Sequence, residues 1–153
     1  MKNLTTSEIA RQNVLNNKYA LEEIQKAIGL RGIIFEGELK FTKQQLSSFF
    51  EVSDRTINSC LLRNEKELRD NGYEVIVGNR LKDFKLAFAI NDDREVNFLI
   101  KSNKLGIFNF RAFINIAMLL SKSERAREVR SLVLDIVIDT INKRTGGNTK
   151  YIN

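Results

Sequence analysis

The sequence predicts a mainly helical α+β protein, a winged helix-turn-helix over residues 1–90 followed by a helical hairpin over 91–153. Three observations lead there. The run TKQQLSSFFEVSDRTINSCLL, Thr42 to Leu62, spaces its apolar residues as two short helices joined by a tight turn require. A β-rich run, Tyr73 to Val77, follows it and ends in the turn signal Gly78-Asn79. Further on, FRAFINIAMLL is apolar on nearly every side, and the helix after it carries a wide apolar stripe, as two helices packed together would.

In chain order, Ser7 caps a helix through SEIARQNVLNNKYALEEIQKAIG, where Ile9, Leu15, Tyr19, Ile24 and Ile28 recur at roughly helical spacing and Gly29 is a stop. Ile33-Ile34-Phe35 reads as a short strand, Glu36-Gly37-Glu38 as a turn and 39–41 as a second extended piece. Thr42 is an N-cap for a helix over 43–50, which breaks at Glu51-Val52-Ser53. A longer helix is expected from Asp54 to about Asp70, ended by Asn71-Gly72. The strand 73–77 then pairs with a return strand over 85–90 (KLAFAI) to form the wing. Asn91 to Arg94 is the loop between the two halves, and 95–100 is one more strand. Asn109 caps the apolar helix, Ser121 to Glu124 has the spacing of a capping box, and Gly146-Gly147 ends the last helix.

A chain of 153 residues can bury a core without metal or disulfide help. With one cysteine and no histidine, no intrachain disulfide can form, and the usual catalytic triads and zinc sites lack their ligands. Catalytic residues, metals and cofactors are therefore all expected to be absent. The polar N-terminus and the lack of a long apolar run point to a cytoplasmic protein. Net charge is +6, unevenly spread: residues 1–100 hold 15 basic and 15 acidic side chains, and 101–153 hold 10 and 4. That excess suits either a polyanionic partner or plain solubility.

Within the central motif, Leu46, Phe50, Val52, Ile57 and Leu61 supply the inward contacts and the small Ser47 lets the second helix approach. Ser53, Asp54, Arg55, Thr56, Asn58, Ser59 and Leu62 are left facing outward or near a groove. Arg55 matches guanine, Asn58 matches adenine, and Ser53 and Thr56 can reach phosphate or base. Lys43, Gln44 and Arg63 complete the candidate DNA surface on these helices, and Asn79, Arg80, Lys82 and Lys85 extend it onto the wing or are simply a solvated hairpin. Glu51 stands where such turns usually have glycine. The span 40–69 holds six basic and four acidic residues, a thin positive surface for a phosphate-driven contact, so the face could equally bind protein.

In the last third, Arg125, Arg127 and Arg130 fall within two helical turns and either touch phosphate or pair with Glu124 and Glu128. Leu132, Val133, Ile136, Val137 and Ile141 make a stripe wider than 110–120 can cover, from which a two-fold homodimer is expected. Cys60 reads as a small buried hydrophobe rather than a nucleophile, and Asp92-Asp93 as a solvated loop.

KFTKQQLSSFFEVSDRTINSCLLRNEKELRDNGYEV resembles the DNA-binding N-terminal region of bacterial proteins of the RhuM-like virulence and prophage type. FNFRAFINIAMLLSKSERAREVRSLVLDIVIDTINKRTGGNTKYIN is similar to phage antirepressor and Bro-type N-terminal domains, without the tryptophan and proline often found in their corresponding helix. The resemblance implies a regulator of a mobile element or genomic island that binds double-stranded DNA and is not an enzyme, with a further module after GGNTKYIN. The rival expectation is a protein-interaction module such as an antirepressor or antitoxin.

Overall fold

The computed structural model describes residues 3–91 and 101–144. Where one long N-terminal helix was expected there are two, because Asn16-Asn17 breaks it. Helix α1 (Glu8–Leu15) begins at Ser7, whose hydroxyl accepts from the Ala10 amide, and helix α2 (Lys18–Ile28) begins at an extended Asn17 whose side chain accepts from Ala20. Asparagine side chains compete in this way for backbone amides and favour a new cap over a continuous helix. The break changes which side chains turn inward. Leu15, Ala20 and Ile24 are buried, while Ile9 and Tyr19, expected on the same face, are each 70% exposed.

Strands β1 (Ile33–Phe35) and β2 (Glu38–Thr42) form a hairpin turned by Glu36 and Gly37, both at positive φ. Thr42 ends β2 and caps α3 (Lys43–Phe50) in a capping box with Gln45. Helix α4 (Asp54–Arg63) stops earlier than expected. Asn64 leaves the helical region and its side chain donates to the Cys60 carbonyl, so a separate short helix α5 (Glu65–Asp70) follows.

Strand β3 (Tyr73–Ile76) lacks the expected hairpin partner, because 85–90 lies inside helix α6 (Gly78–Asn91). The alternation in KLAFAI is shorter than the helical pattern around it: Leu81, Phe84 and Phe88 bury along one face, against Ile33, Phe35, Ile76 and Ile107. The partner of β3 is instead β4 (Leu105–Asn109), which lies between β2 and β3 in an antiparallel sheet of order β1-β2-β4-β3. The strand expected over 95–100 lies outside the described residues. So does the loop expected at 92–94, and β4 beyond it shares one sheet with strands from before residue 91.

Asn109 caps α7 (Phe110–Leu119), as expected. Helix α8 (Glu124–Arg144) is capped by Ser123 rather than Ser121, the Ala126 amide donating to its hydroxyl. Helix α6 covers one face of the sheet, while Phe41, Tyr73 and Phe108 on the other join the main core. At the centre of that core the Phe113 ring lies 5.0–5.9 Å from the rings of Phe41, Phe49, Phe50 and Phe110. The wide stripe of α8 rests on α2 and α3 as well as α7, with Ile141 at its far end 51% exposed.

Candidate nucleic-acid interface

Helices α3 and α4 are joined by Glu51, Val52 and Ser53, and the turn is made by Glu51 at φ 56, in the left-handed region. A non-glycine residue there costs about 1 kcal/mol. The geometry is held from both sides: the Val52 amide donates to the Ser47 carbonyl, and the Ser47 hydroxyl donates to Asp54 Oδ1 at 2.7 Å. Asp54 thus ties the two helices together. Ser53 is likewise committed, its hydroxyl accepting from the Thr56 amide as the cap of α4.

Ile57, Cys60 and Leu61 are buried, and Leu46, Ser47 and Phe50 meet them from α3. The remaining positions of α4 split as the spacing requires, with Arg55, Thr56, Leu62 and Arg63 exposed and Asn58 and Ser59 half-buried. Burial pushes the Cys60 thiol up to about 11, so at neutral pH it is a packed thiol and not a thiolate.

Two clefts flank α4. On one side Lys43 and Gln44, at the start of α3, share a cleft with Leu61, Leu62 and Lys104, and with Glu65 and Arg69, which pair with each other at 2.9 Å. On the other side Arg55, Thr56, Ser59 and Arg63 face the turn between α7 and α8. Arg55 and Arg63 have no ion pair or side-chain hydrogen bond among the described residues.

The other basic residues singled out in the sequence lie elsewhere. Arg80 is on α6, across the sheet from the main core, and its guanidinium grips the carboxylates of Glu36 (2.6 and 2.9 Å) and Glu74 (2.9 and 3.2 Å). Hydrogen bonds from Arg80 hold both of these carboxyls below their ordinary values. Lys82 is exposed on the same helix, and Lys85 donates to the Ser102 carbonyl. None of these residues forms a hairpin wing beside α4. Arg125 lies over the Phe49 ring at 4.6 Å, Arg127 pairs with Glu124 at 2.9 Å, and Arg130 donates to the Ala117 and Leu120 carbonyls at 2.9 and 2.8 Å. Arg130 therefore satisfies the carbonyls that the end of α7 leaves open.

A buried polar network escaped the sequence reading. Arg11 of α1 forms two hydrogen bonds with Glu67 of α5, at 2.7 and 2.8 Å, and Glu67 also accepts from Asn115 of α7. Asn115 accepts from Asn71, whose side-chain oxygen accepts from Arg111. Burial alone would raise the Glu67 carboxyl, but the hydrogen bonds from Arg11 and Asn115 outweigh it and hold the pKa below the ordinary value. One signal was present: Asn115 is the uncharged polar residue in an otherwise apolar stretch of FRAFINIAMLL. Among the described residues no group of His, Cys, Asp or Glu side chains could hold a metal ion, and no helix is long and apolar enough to cross a membrane.

No family model, curated protein or solved structure matches the chain.

Proposed function

We propose that the protein is a sequence-specific double-stranded DNA-binding regulator that places α4 in the major groove. The observation that carries this reading is the outward face of α4, where Arg55, Thr56, Asn58, Ser59 and Arg63 project from a helix whose other face is locked into the core. Arg55 and Arg63 have no partner among the described residues, and the acidic group at the start of the helix, Asp54, is engaged with Ser47. The order of elements supports a winged-helix relationship: a strand before α3, two strands after α4, and the last strand lying between the other two. In this reading the packed helix α6 stands where a flexible wing would be. The likeness to RhuM-type and antirepressor proteins adds the role of a cytoplasmic regulator of a mobile element. A palindromic site would take two copies of the chain.

Leu62 favours a second reading. It is 75% exposed on the same face, and a protein partner would cover it. A thymine methyl is the alternative contact for it.

Gel shift and fluorescence anisotropy with the DNA upstream of the protein's own coding sequence separate the two. Arg55→Ala and Asn58→Ala are expected to lose discrimination between that duplex and an unrelated one, by about 1–3 kcal/mol each. Duplex binding should also weaken steeply as salt rises. Unchanged discrimination in both variants would refute base reading by α4, and capture of a protein ligand with little salt response would favour the second reading.

A further inference from the structure

We propose that the cleft between α4 and the α7–α8 turn is a phosphodiester site, where Lys122 of the turn and Arg63 of α4 hold one backbone phosphate of a bound duplex, while Arg55 at the other end of the cleft is left to the base edges. This rests on the duplex-binding reading and adds a second contacting element to it. No sequence signal marked Lys122.

The cleft has a volume of about 420 Å³, space for on the order of a dozen waters, so it is open and hydrated in the unbound protein. Its polar lining is Arg55, Arg63 and Lys122 with Thr56, Ser59, Ser121 and Ser123, and among the described residues no carboxylate lines it. The acidic side chains nearest these cations in sequence are Asp54, Glu65 and Glu124, with Glu51 further off on the turn before α4, and Glu65 is paired with Arg69. Asp54 is bonded to Ser47 and Glu124 to Arg127. Three cations thus face one cleft without a counter-charge among the described residues, the arrangement an anion would relieve. The opposite flank of α4 differs, since Glu65 lies there beside its cations.

The turn is fixed rather than draped. Ser123 donates its hydroxyl to the Phe50 carbonyl at 2.8 Å, joining the start of α8 to the end of α3. Arg125 over Phe49 makes a second tie to the same helix, and Arg130 holds the Ala117 and Leu120 carbonyls from below. Lys122 is therefore presented at a set position beside α4, which lowers the ordering cost of a contact. A helix in the major groove runs between two phosphate backbones, and this cleft opens along one side of that helix. Free phosphate offers the same chemistry, but a cleft continuous with the outward face of α4 suits the duplex backbone.

The test measures affinity against salt for the wild-type chain, Lys122→Ala and Arg55→Ala, using the upstream duplex, an unrelated duplex and inorganic phosphate. Lys122→Ala is expected to weaken both duplexes alike, roughly fivefold, and to lower the slope of log affinity against log salt by about 1. Thermal unfolding checks that the variant keeps wild-type stability. Wild-type affinity and slope in Lys122→Ala, with discrimination lost in Arg55→Ala, would overturn the cleft and leave the reading of α4 standing. A wild-type chain that binds no duplex would overturn both. Shifts of the Ser121 and Lys122 amide signals with inorganic phosphate, combined with unchanged duplex binding by Lys122→Ala, would assign the cleft to a small anion and refute the backbone contact.

Discussion

Helices α4 and α8 both carry arginines, Arg55 and Arg63 on the first and Arg125, Arg127 and Arg130 on the second, and use them in opposite ways. On α8 every one is committed: Arg125 to a phenylalanine ring, Arg127 to Glu124, Arg130 to two carbonyls. On α4, Arg55 and Arg63 reach solvent without a partner among the described residues. Yet the net positive charge lies in residues 101–153, and the part containing α4 is neutral. Counting charges alone therefore does not say which helix keeps its cations unpaired. What matters for an electrostatic contact is which cations remain unspent after the fold has used its share.

Arg11 of α1 is more deeply buried than Arg125, Arg127 or Arg130. Arg11 and Glu67 have side chains only 7% and 9% exposed, and Glu67→Ala leaves the guanidinium buried without its carboxylate. The expected loss is about 3–5 kcal/mol, read as the shift of the urea midpoint. The same residue sets an acid limit. Because the folded pKa of Glu67 is depressed, its contribution is present above the ordinary glutamate value of 4.5 and is lost as pH falls through the lower folded value. Wild type should therefore lose stability below pH 4.5 more steeply than Glu67→Gln.

A smaller effect belongs to Arg130→Ala, which strips the carbonyls of Ala117 and Leu120 of a donor and should cost about 1–3 kcal/mol. Should that variant keep its melting temperature while losing duplex affinity, Arg130 would be a DNA contact and the contrast between the helices would fail. Smallest on the stability scale is Arg55→Ala, expected to stay within about 0.5 kcal/mol of wild type while losing discrimination between duplexes. A large drop in melting temperature there would show that Arg55 is spent on the fold after all.

Local chemistry was legible where a residue acts on its near neighbours. Thr42 and Asn109 cap the helices expected of them, Gly29 closes α2, and Ile57 and Leu61 turn inward. Breaks at single asparagines were harder: Asn17 and Asn64 each divide a pattern that periodicity carries straight through. Helix α6 was lost to a six-residue alternation nested in a longer helical repeat. The candidate site was legible on α4 and invisible on the turn at Lys122, because the turn is placed by a hydrogen bond between residues 73 apart, Ser123 and Phe50. The pairing of Arg80 was not legible for the same reason, since one of its two carboxylates, on Glu36, lies 44 positions away.

The central place of β4 also dictates when the protein can become itself during synthesis. Until that strand leaves the ribosome, β2 and β3 have no shared neighbour and both offer bare backbone edges. Translating the 28 residues between Ile76 and Leu105 takes about 1–6 s at typical rates of synthesis, an interval in which the nascent chain is open to chaperones and to other chains. A shortened gene product ending near residue 91 would carry that vulnerability permanently, which makes it a poor choice for isolating α4 and its neighbours.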